Sequence, residues 1–167
     1  PKAAEILAPL VDADLSDVPA FGIARARLAD VPVVLARTGY TGEDGFELFF
    51  DAREAERVRN LLMSQGEDLG IAPIGLGARD TLRTEAGMPL YGHELTEDIT
   101  PLEADLGFGV QWKGGDFHGK AALLEQKEAG VSRIRVGLEL DTRRVAREGT
   151  PVLQGGEVIG VVSSGTY

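Results

Sequence analysis

The run Arg37-Thr38-Gly39-Tyr40-Thr41-Gly42-Glu43-Asp44-Gly45-Phe46-Glu47-Leu48 constrains this chain more than any other stretch. Three glycines fall within seven residues, between two apolar, β-prone segments, Val31 to Leu35 and Phe46 to Phe50. The pattern predicts strand, tight turn, strand. Glycines at such a turn can take positive φ and keep side chains clear of whatever approaches the backbone. Side chains alternate faces along a strand, so Phe46, Leu48 and Phe50 share one face and Glu47 points the other way beside Phe49. The stretch therefore offers a carboxylate (Glu47) and a phenol (Tyr40) beside an open backbone. That combination suits a polar, planar ligand.

A second group lies on a predicted helix. Pro73-Ile74-Gly75-Leu76-Gly77 leads into a helical segment from about Ala78 to Ala86, closed by Gly87. Arg79 and Arg83 are four apart and share a face. Asp80, Glu85 and solvent can satisfy them. Alternatively, Arg79 fixes a carboxylate, since guanidinium and carboxylate match as a two-pronged pair. That carboxylate could be Glu47 or one on a ligand. Downstream, His93 lies in Leu90-Tyr91-Gly92-His93-Glu94. Its ordinary pKa invites acid–base work, but a lone loop histidine reads better as a hydrogen-bonded structural residue. Trp112 reads as a packing residue near a domain edge.

The rest of the chain alternates helix and strand signals. Pro1 to Ala8 reads as a short helix or the end of one, stopped by Pro9. Phe21 to Leu28 and Val31 to Leu35 read as adjacent strands joined by Ala29-Asp30. Asp51 is a candidate N-cap with Glu54 as its box partner. Ala55, Val58, Leu61 and Leu62 recur at helical spacing, so Arg53 to Gln65 is predicted as an amphipathic helix with Gly66 as its C′ residue. Thr100-Pro101-Leu102-Glu103 reads as a helix start, and Asp116 to Ala129 as a further helix ended by Gly130. Arg133 to Leu140 alternates charged and apolar residues as a half-buried strand does. Val152 to Gln154 and Val158 to Ser163 flank Gly155-Gly156 as a hairpin with a primed turn. The fold class expected is α+β.

Composition bounds the function classes. The 167 residues are 43% hydrophobic and 26% charged, as in ordinary globular domains. The net charge of −10 opposes binding to nucleic-acid phosphates and to anionic membranes. There is no Cys, so disulfides, thiolate catalysis and Cys-ligated metal are excluded for these residues. His93 and His118 are far apart and outside any metal-spaced motif, so no metal site is expected. The chain begins at Pro1 and stops just after a strand-like run, and it reads as a piece of a longer protein.

Thr38-Gly39-Tyr40-Thr41-Gly42-Glu43-Asp44-Gly45-Phe46-Glu47 resembles the signature turn of the aminomethyltransferases, the T-proteins of the glycine cleavage system. Gly75 to Arg83, Glu85 to Leu95, and Thr100-Pro101-Leu102-Glu103-Ala104 continue the match in order, and Glu157 to Gly165 is similar to a strand of the family's C-terminal β domain. The resemblance covers nearly the whole chain and is densest from Ala36 to Leu106.

It implies a fragment of a multi-domain folate-binding fold. Residues 1–76 would be part of a first α+β domain. Residues 77–129 would be the helical part of a second, and 130–167 the start of an antiparallel, barrel-like β domain. It implies passage of an aminomethyl carbon from the lipoyl arm of H-protein to tetrahydrofolate, with release of ammonia and formation of 5,10-methylenetetrahydrofolate. Tyr40, Glu47 and Arg79 fall on the family's folate-contacting positions. A pterin's 2-amino group and ring N–H are adjacent donors, and an ionised Glu can accept both. Tyr40 offers an aromatic face to a flat ring and a hydroxyl for one hydrogen bond.

The catalytic aspartate of the family is expected upstream of Pro1. Tetrahydrofolate would be the co-substrate and lipoylated H-protein the partner, with no metal. A bacterial source would place the protein in the cytoplasm, a eukaryotic one in the mitochondrial matrix. Relatives that fuse a similar domain to sarcosine or dimethylglycine dehydrogenases form an alternative, although the Gly-Met-Pro-Leu-Tyr-Gly-His-Glu-Leu run favours the glycine-cleavage member. A folate-binding protein without transferase activity is a third reading. Such proteins carry a Cys in the corresponding turn, where this chain has Gly39-Tyr40-Thr41.

Overall fold

A computed structural model describes residues 2–166. The chain forms two compact units, Pro1–Leu82 and Arg83–Tyr167. Each is described by itself.

The first unit opens with helix α1, Ala3–Leu7, which passes into a 3-10 turn, Ala8–Leu10, with Pro9 inside that turn. The helix expected from Pro1 thus starts later, and Pro1 itself lies outside the described residues. A second 3-10 turn, Leu15–Asp17, is capped by Asp14, whose Oδ1 accepts from the Ser16 N–H at 2.9 Å. Strands β1, Ile23–Leu28, and β2, Val31–Ala36, pair antiparallel from Leu28↔Val31 to Ile23↔Ala36. Ala29 takes a φ of 52° in the connection between them. Strand β3, Glu47–Phe49, adds to β2 with Leu35 opposite Leu48 and Ala36 opposite Glu47.

Period-two alternation sets the core. Val31, Val33 and Leu35 are buried while Pro32 and Val34 face outward. Phe46, Leu48 and Phe50 pack against the buried face, with Leu7, Leu15, Val18, Leu28 and Val58. Glu47 and Phe49 are exposed, as the alternation requires. Helix α2, Ala55–Gln65, covers this core through Val58, Leu61 and Leu62. Asp51 accepts from the Arg53 N–H at 3.0 Å, but the first turn is 3-10, Ala52–Glu54. Gly66 differs from expectation. It is not left-handed; its φ is −93°. Glycine is required there for close approach, because a Cβ would lie 2.7 Å from the Ile71 Cβ. Helix α3, Leu76–Glu85, begins two positions before the predicted Ala78 and crosses the boundary between the units.

In the second unit, Gly87 closes α3 with a φ of 67°. The Thr100 capping box forms in both directions. The Glu103 N–H reaches Thr100 Oγ1 at 3.2 Å, and the Thr100 N–H reaches Glu103 Oε2 at 2.8 Å. No α-helix follows, only a 3-10 turn at Gly107–Gly109, which corrects the expected helix start. Asp105 turns left-handed at φ 57°, and the Leu106 N–H bonds back to the Pro101 carbonyl at 2.7 Å, ending the element after one turn. Helix α4, Lys120–Ala129, starts later than the predicted Asp116, because Gly119 is left-handed at φ 86°.

The strand expected over Arg133 to Leu140 is absent among the described residues. The segment is extended in pattern but finds no neighbouring strand; its backbone tie is the Arg135 N–H to the Glu103 carbonyl at 2.8 Å. A strand exists only as part of a ladder. The hairpin does form: β4, Pro151–Gln154, pairs with β5, Glu157–Val161. Gly155 and Gly156 have φ of 61° and 95°, the primed turn expected of that pair. These two strands close no barrel among the described residues.

Candidate functional site

The loop 37–46 joins β2 to β3; it carries Tyr40, and Glu47 directly follows it as the first residue of β3. The loop is longer than the tight turn read from the sequence. Of its glycines only Gly42 is left-handed, at φ 73°. Gly39 has a different property: a Cβ placed there meets nothing within 4 Å. The backbone at Gly39 is therefore open to an approaching group.

Arg37 ties the loop down. Its Nε and Nη2 donate to the two carboxylate oxygens of Asp44, each at 2.9 Å. Its Nη1 donates to the Val18 carbonyl at 3.0 Å and the Leu15 carbonyl at 3.4 Å. The guanidinium carbon also lies 5.7 Å from the centre of the Phe46 ring. The forked hydrogen bond from Arg37 holds the Asp44 carboxyl below its ordinary range.

Glu47 opens β3 on the exposed face. Thr38 Oγ1 donates to Glu47 Oε2. Arg79 stands in α3, within the first unit, and its guanidinium carbon is 4.4 Å from the centre of the Tyr40 ring. A cation over a tyrosine face at that range attracts by about 0.5–1 kcal/mol when exposed. The Tyr40 ring is not among the partners that the sequence left open for Arg79 (Asp80, Glu85, solvent, Glu47 or a ligand carboxylate), and Glu47 accepts from Thr38. Neither Thr38 nor Arg37 stood out in the sequence as a site residue. Their signal was position: they immediately precede the glycine-rich run that carries Tyr40.

A separate polar cluster occupies the second unit. Arg83, the companion of Arg79 on α3, is 2% exposed and pairs at 2.9 Å with Glu94, which is 6% exposed. Arg83 also donates to Ser164 Oγ at 2.9 Å and to the Met88 carbonyl at 3.4 Å. Glu94 Oε2 accepts the Leu90 N–H at 2.9 Å. Burial pushes the Glu94 carboxyl up, but hydrogen bonds from Ser164, Ser163 and Leu90 and the charge of Arg83 outweigh it and bring its pKa down to about 2. The sequence offers Asp80, Glu85 and solvent as partners for Arg83 and does not single out Glu94. The available signal was that Glu94 is the one acidic residue between Ala86 and Thr96.

His93 Nδ1 lies 3.2 Å from the Ser163 carbonyl and 3.4 Å from Glu148 Oε2, the hydrogen-bonded structural setting expected of it. Trp112 donates from Nε1 to the Gly107 carbonyl at 2.9 Å and stacks with Lys127 at 4.2 Å. Among the described residues, no group of three His, Cys, Asp or Glu side chains could hold a metal ion. No helix of the described residues is long and apolar enough to cross a membrane.

A family model described as the GCVT N-terminal domain matches residues 1–114. The chain belongs to the GCVT family. Its curated relatives in the family are named aminomethyltransferase. That of Listeria monocytogenes serotype 4a (strain HCC23) is 51% identical over 168 residues, covering 99% of this chain and 45% of the relative. That of Caldanaerobacter subterraneus subsp. tengcongensis is 49% identical, covering 100% of this chain and 45% of the relative. Among solved structures, the glycine cleavage system aminomethyltransferase T from Bartonella henselae matches with a TM-score of 0.86 at 35% identity, covering 100% of this chain and 45% of that one. This GCVT chain thus spans a little under half the length of the relatives it matches. The fold is a mixed helix-and-sheet fragment of the aminomethyltransferase type, and the open β4–β5 hairpin is consistent with only the start of a barrel.

Proposed function

We propose that this chain supplies one wall of the folate pocket of a tetrahydrofolate-dependent aminomethyltransferase. The whole protein would accept the aminomethyl group carried on the lipoyl arm of H-protein. Its carbon would pass to tetrahydrofolate, giving 5,10-methylenetetrahydrofolate, ammonia and the dihydrolipoyl arm. The observation that carries the reading is the pairing of a fixed carboxylate with a stacked cation on the same unit. Thr38 holds Glu47, and Arg79 lies over Tyr40.

Each residue has a chemical role in the proposal. Thr38 donates to one oxygen of Glu47, and the carboxylate has further lone pairs to accept the adjacent N–H donors of a pterin. Tyr40 and Arg79 together make a flat, cationic surface against which an anionic, planar ligand can rest. Arg79 can reach from that position toward a ligand carboxylate. None of these groups is assigned the acid–base step. In the proposal that role belongs to the family's aspartate, in a segment upstream of Pro1.

The domain assignment is part of the same reading. Residues 1–76 belong to a first folate-binding domain, 77–129 to the helical part of a second, and 130–167 to the start of the C-terminal β domain. With bacterial relatives as the guide, the proposed location is the cytoplasm.

Glu47→Ala in the complete protein tests the reading. A hydrogen bond to a charged group contributes about 1.5–3 kcal/mol, so tetrahydrofolate affinity measured by calorimetry should fall roughly 10- to 100-fold. Unchanged affinity would remove Glu47 from the pocket and the reading with it.

A further inference from the structure

Arg37 and Asp44 are not among the residues assigned to the folate wall, yet a forked ion pair joins them across the loop. The guanidinium uses Nε, Nη1 and Nη2. Two of these grip Asp44 as a fork, and the third reaches the carbonyls of Val18 and Leu15. The side chains of Val18 and Leu15 belong to the buried core, at 3% and 7% exposure. Arg37 is therefore a strut with one end anchored in the packed part of the unit. Its other end holds Asp44, which is half-exposed and contributes nothing to that core.

The position of the two ends matters. Arg37 directly precedes Thr38, and Asp44 stands three residues before Glu47. The pair shortens the free span of the loop to 38–43, which contains Tyr40. It also links the donor side of the Thr38–Glu47 hydrogen bond to the strand that carries Glu47. A ligand that binds such a loop need not order it, and ordering is a cost that binding must otherwise overcome.

We infer that Arg37 and Asp44 are positioning residues for the proposed folate wall, their forked ion pair holding loop 37–46 in the shape that presents Tyr40 and Glu47. This rests on the folate reading given above. Lysine cannot reproduce the role, because an ammonium is a point charge without the planar fork.

The test uses the complete protein with Arg37→Lys, Asp44→Asn, the double variant and Glu47→Ala. Three quantities are read: tetrahydrofolate affinity, melting temperature, and hydrogen exchange of the amides of residues 38–44 without ligand. The expected result is roughly five- to tenfold weaker binding for each single clamp variant, with the double no weaker than the worse single, as two halves of one contact require. Exchange over 38–44 should speed up in Asp44→Asn, while the melting temperature stays close to that of the unaltered protein.

If Glu47→Ala weakens binding and the clamp variants bind normally, the positioning role is overturned and the folate wall stands. If the two single effects add fully, the residues act separately and the clamp is overturned. If Glu47→Ala changes nothing, the folate reading fails. Exchange then decides whether Arg37 and Asp44 hold the loop at all, and unaltered exchange in Asp44→Asn rejects that too.

Discussion

The guanidinium of Arg83 meets the carboxylate of Glu94 at 2.9 Å, with both side chains almost wholly buried. Four residues earlier on the same helix, Arg79 is exposed and lies over Tyr40. Two arginines on one helix face thus have opposite roles, one internal and structural, the other available at the surface. Breaking a buried pair by removing one partner leaves an uncompensated charge and costs about 3–5 kcal/mol. Glu94→Ala should therefore lower the urea midpoint of the complete protein sharply. The double change Arg83→Met with Glu94→Leu should be milder than Glu94→Ala alone, because no lone charge remains buried.

Acid should expose the same carboxylate. The Glu94 pKa lies at about 2 in the folded protein against an ordinary 4.5. The folded state therefore binds this proton less readily than the unfolded chain does. The stabilisation is fully present above about pH 4.5 and is lost as pH falls toward 2. Other acidic groups, Asp44 and Glu103 among them, are held low by their own hydrogen bonds. Subtracting the Glu94→Gln stability curve from that of the unaltered protein isolates this contribution. The difference should shrink across that window, and a pH-independent difference would contradict the assignment.

Tyr40 should act through its ring more than through its hydroxyl in holding Arg79. Tyr40→Phe keeps the face and should retain most tetrahydrofolate affinity, whereas Tyr40→Leu should lose about two- to tenfold, the range of an aromatic contact. Arg79→Ala removes an exposed side chain and should change stability by no more than about 0.5 kcal/mol. Paired binding and melting measurements separate the two effects.

Two glycines should respond in opposite ways. Gly66→Ala drives a Cβ to 2.7 Å from that of Ile71 and should cost about 1–3 kcal/mol through overpacking. Gly39→Ala meets no neighbour and should leave stability unchanged or raise it slightly by restricting the unfolded chain. If folate lies against that open backbone, Gly39→Ala should still weaken binding. A melting scan of both variants and a titration of Gly39→Ala check these outcomes.

The parts of the fold that were legible in the sequence are those governed by neighbouring residues. The β1–β2 pair, the face presented by Phe46, Leu48 and Phe50, the helix carrying Val58, and the Gly155-Gly156 turn all follow from local period and turn chemistry. What escaped depends on distant partners. The alternation over Arg133 to Leu140 specifies a strand only where another strand lies alongside. Thr100 and Glu103 form their box as local chemistry demands, but one left-handed residue, Asp105, decides that no helix grows from it. Gly66 was read for its backbone freedom, while its real constraint is Ile71. Tyr40, Glu47 and Arg79 stand out in the sequence as candidates by residue type and spacing, whereas the contacts of Thr38, Arg37 and Asp44 do not, because hydrogen-bond choice in a loop depends on where its two ends are held.

The β4–β5 hairpin carries Leu153, Val158, Ile159 and Val161 at 58–68% exposure, on both of its faces. Each edge of this two-stranded sheet also lacks a further strand among the described residues. An uncovered apolar ribbon of that kind is a template for pairing with another copy of itself. A preparation limited to these residues should therefore self-associate as its concentration rises, with light scattering growing ahead of any loss of helix signal. Folate titrations on such a sample would report colloidal behaviour as much as recognition.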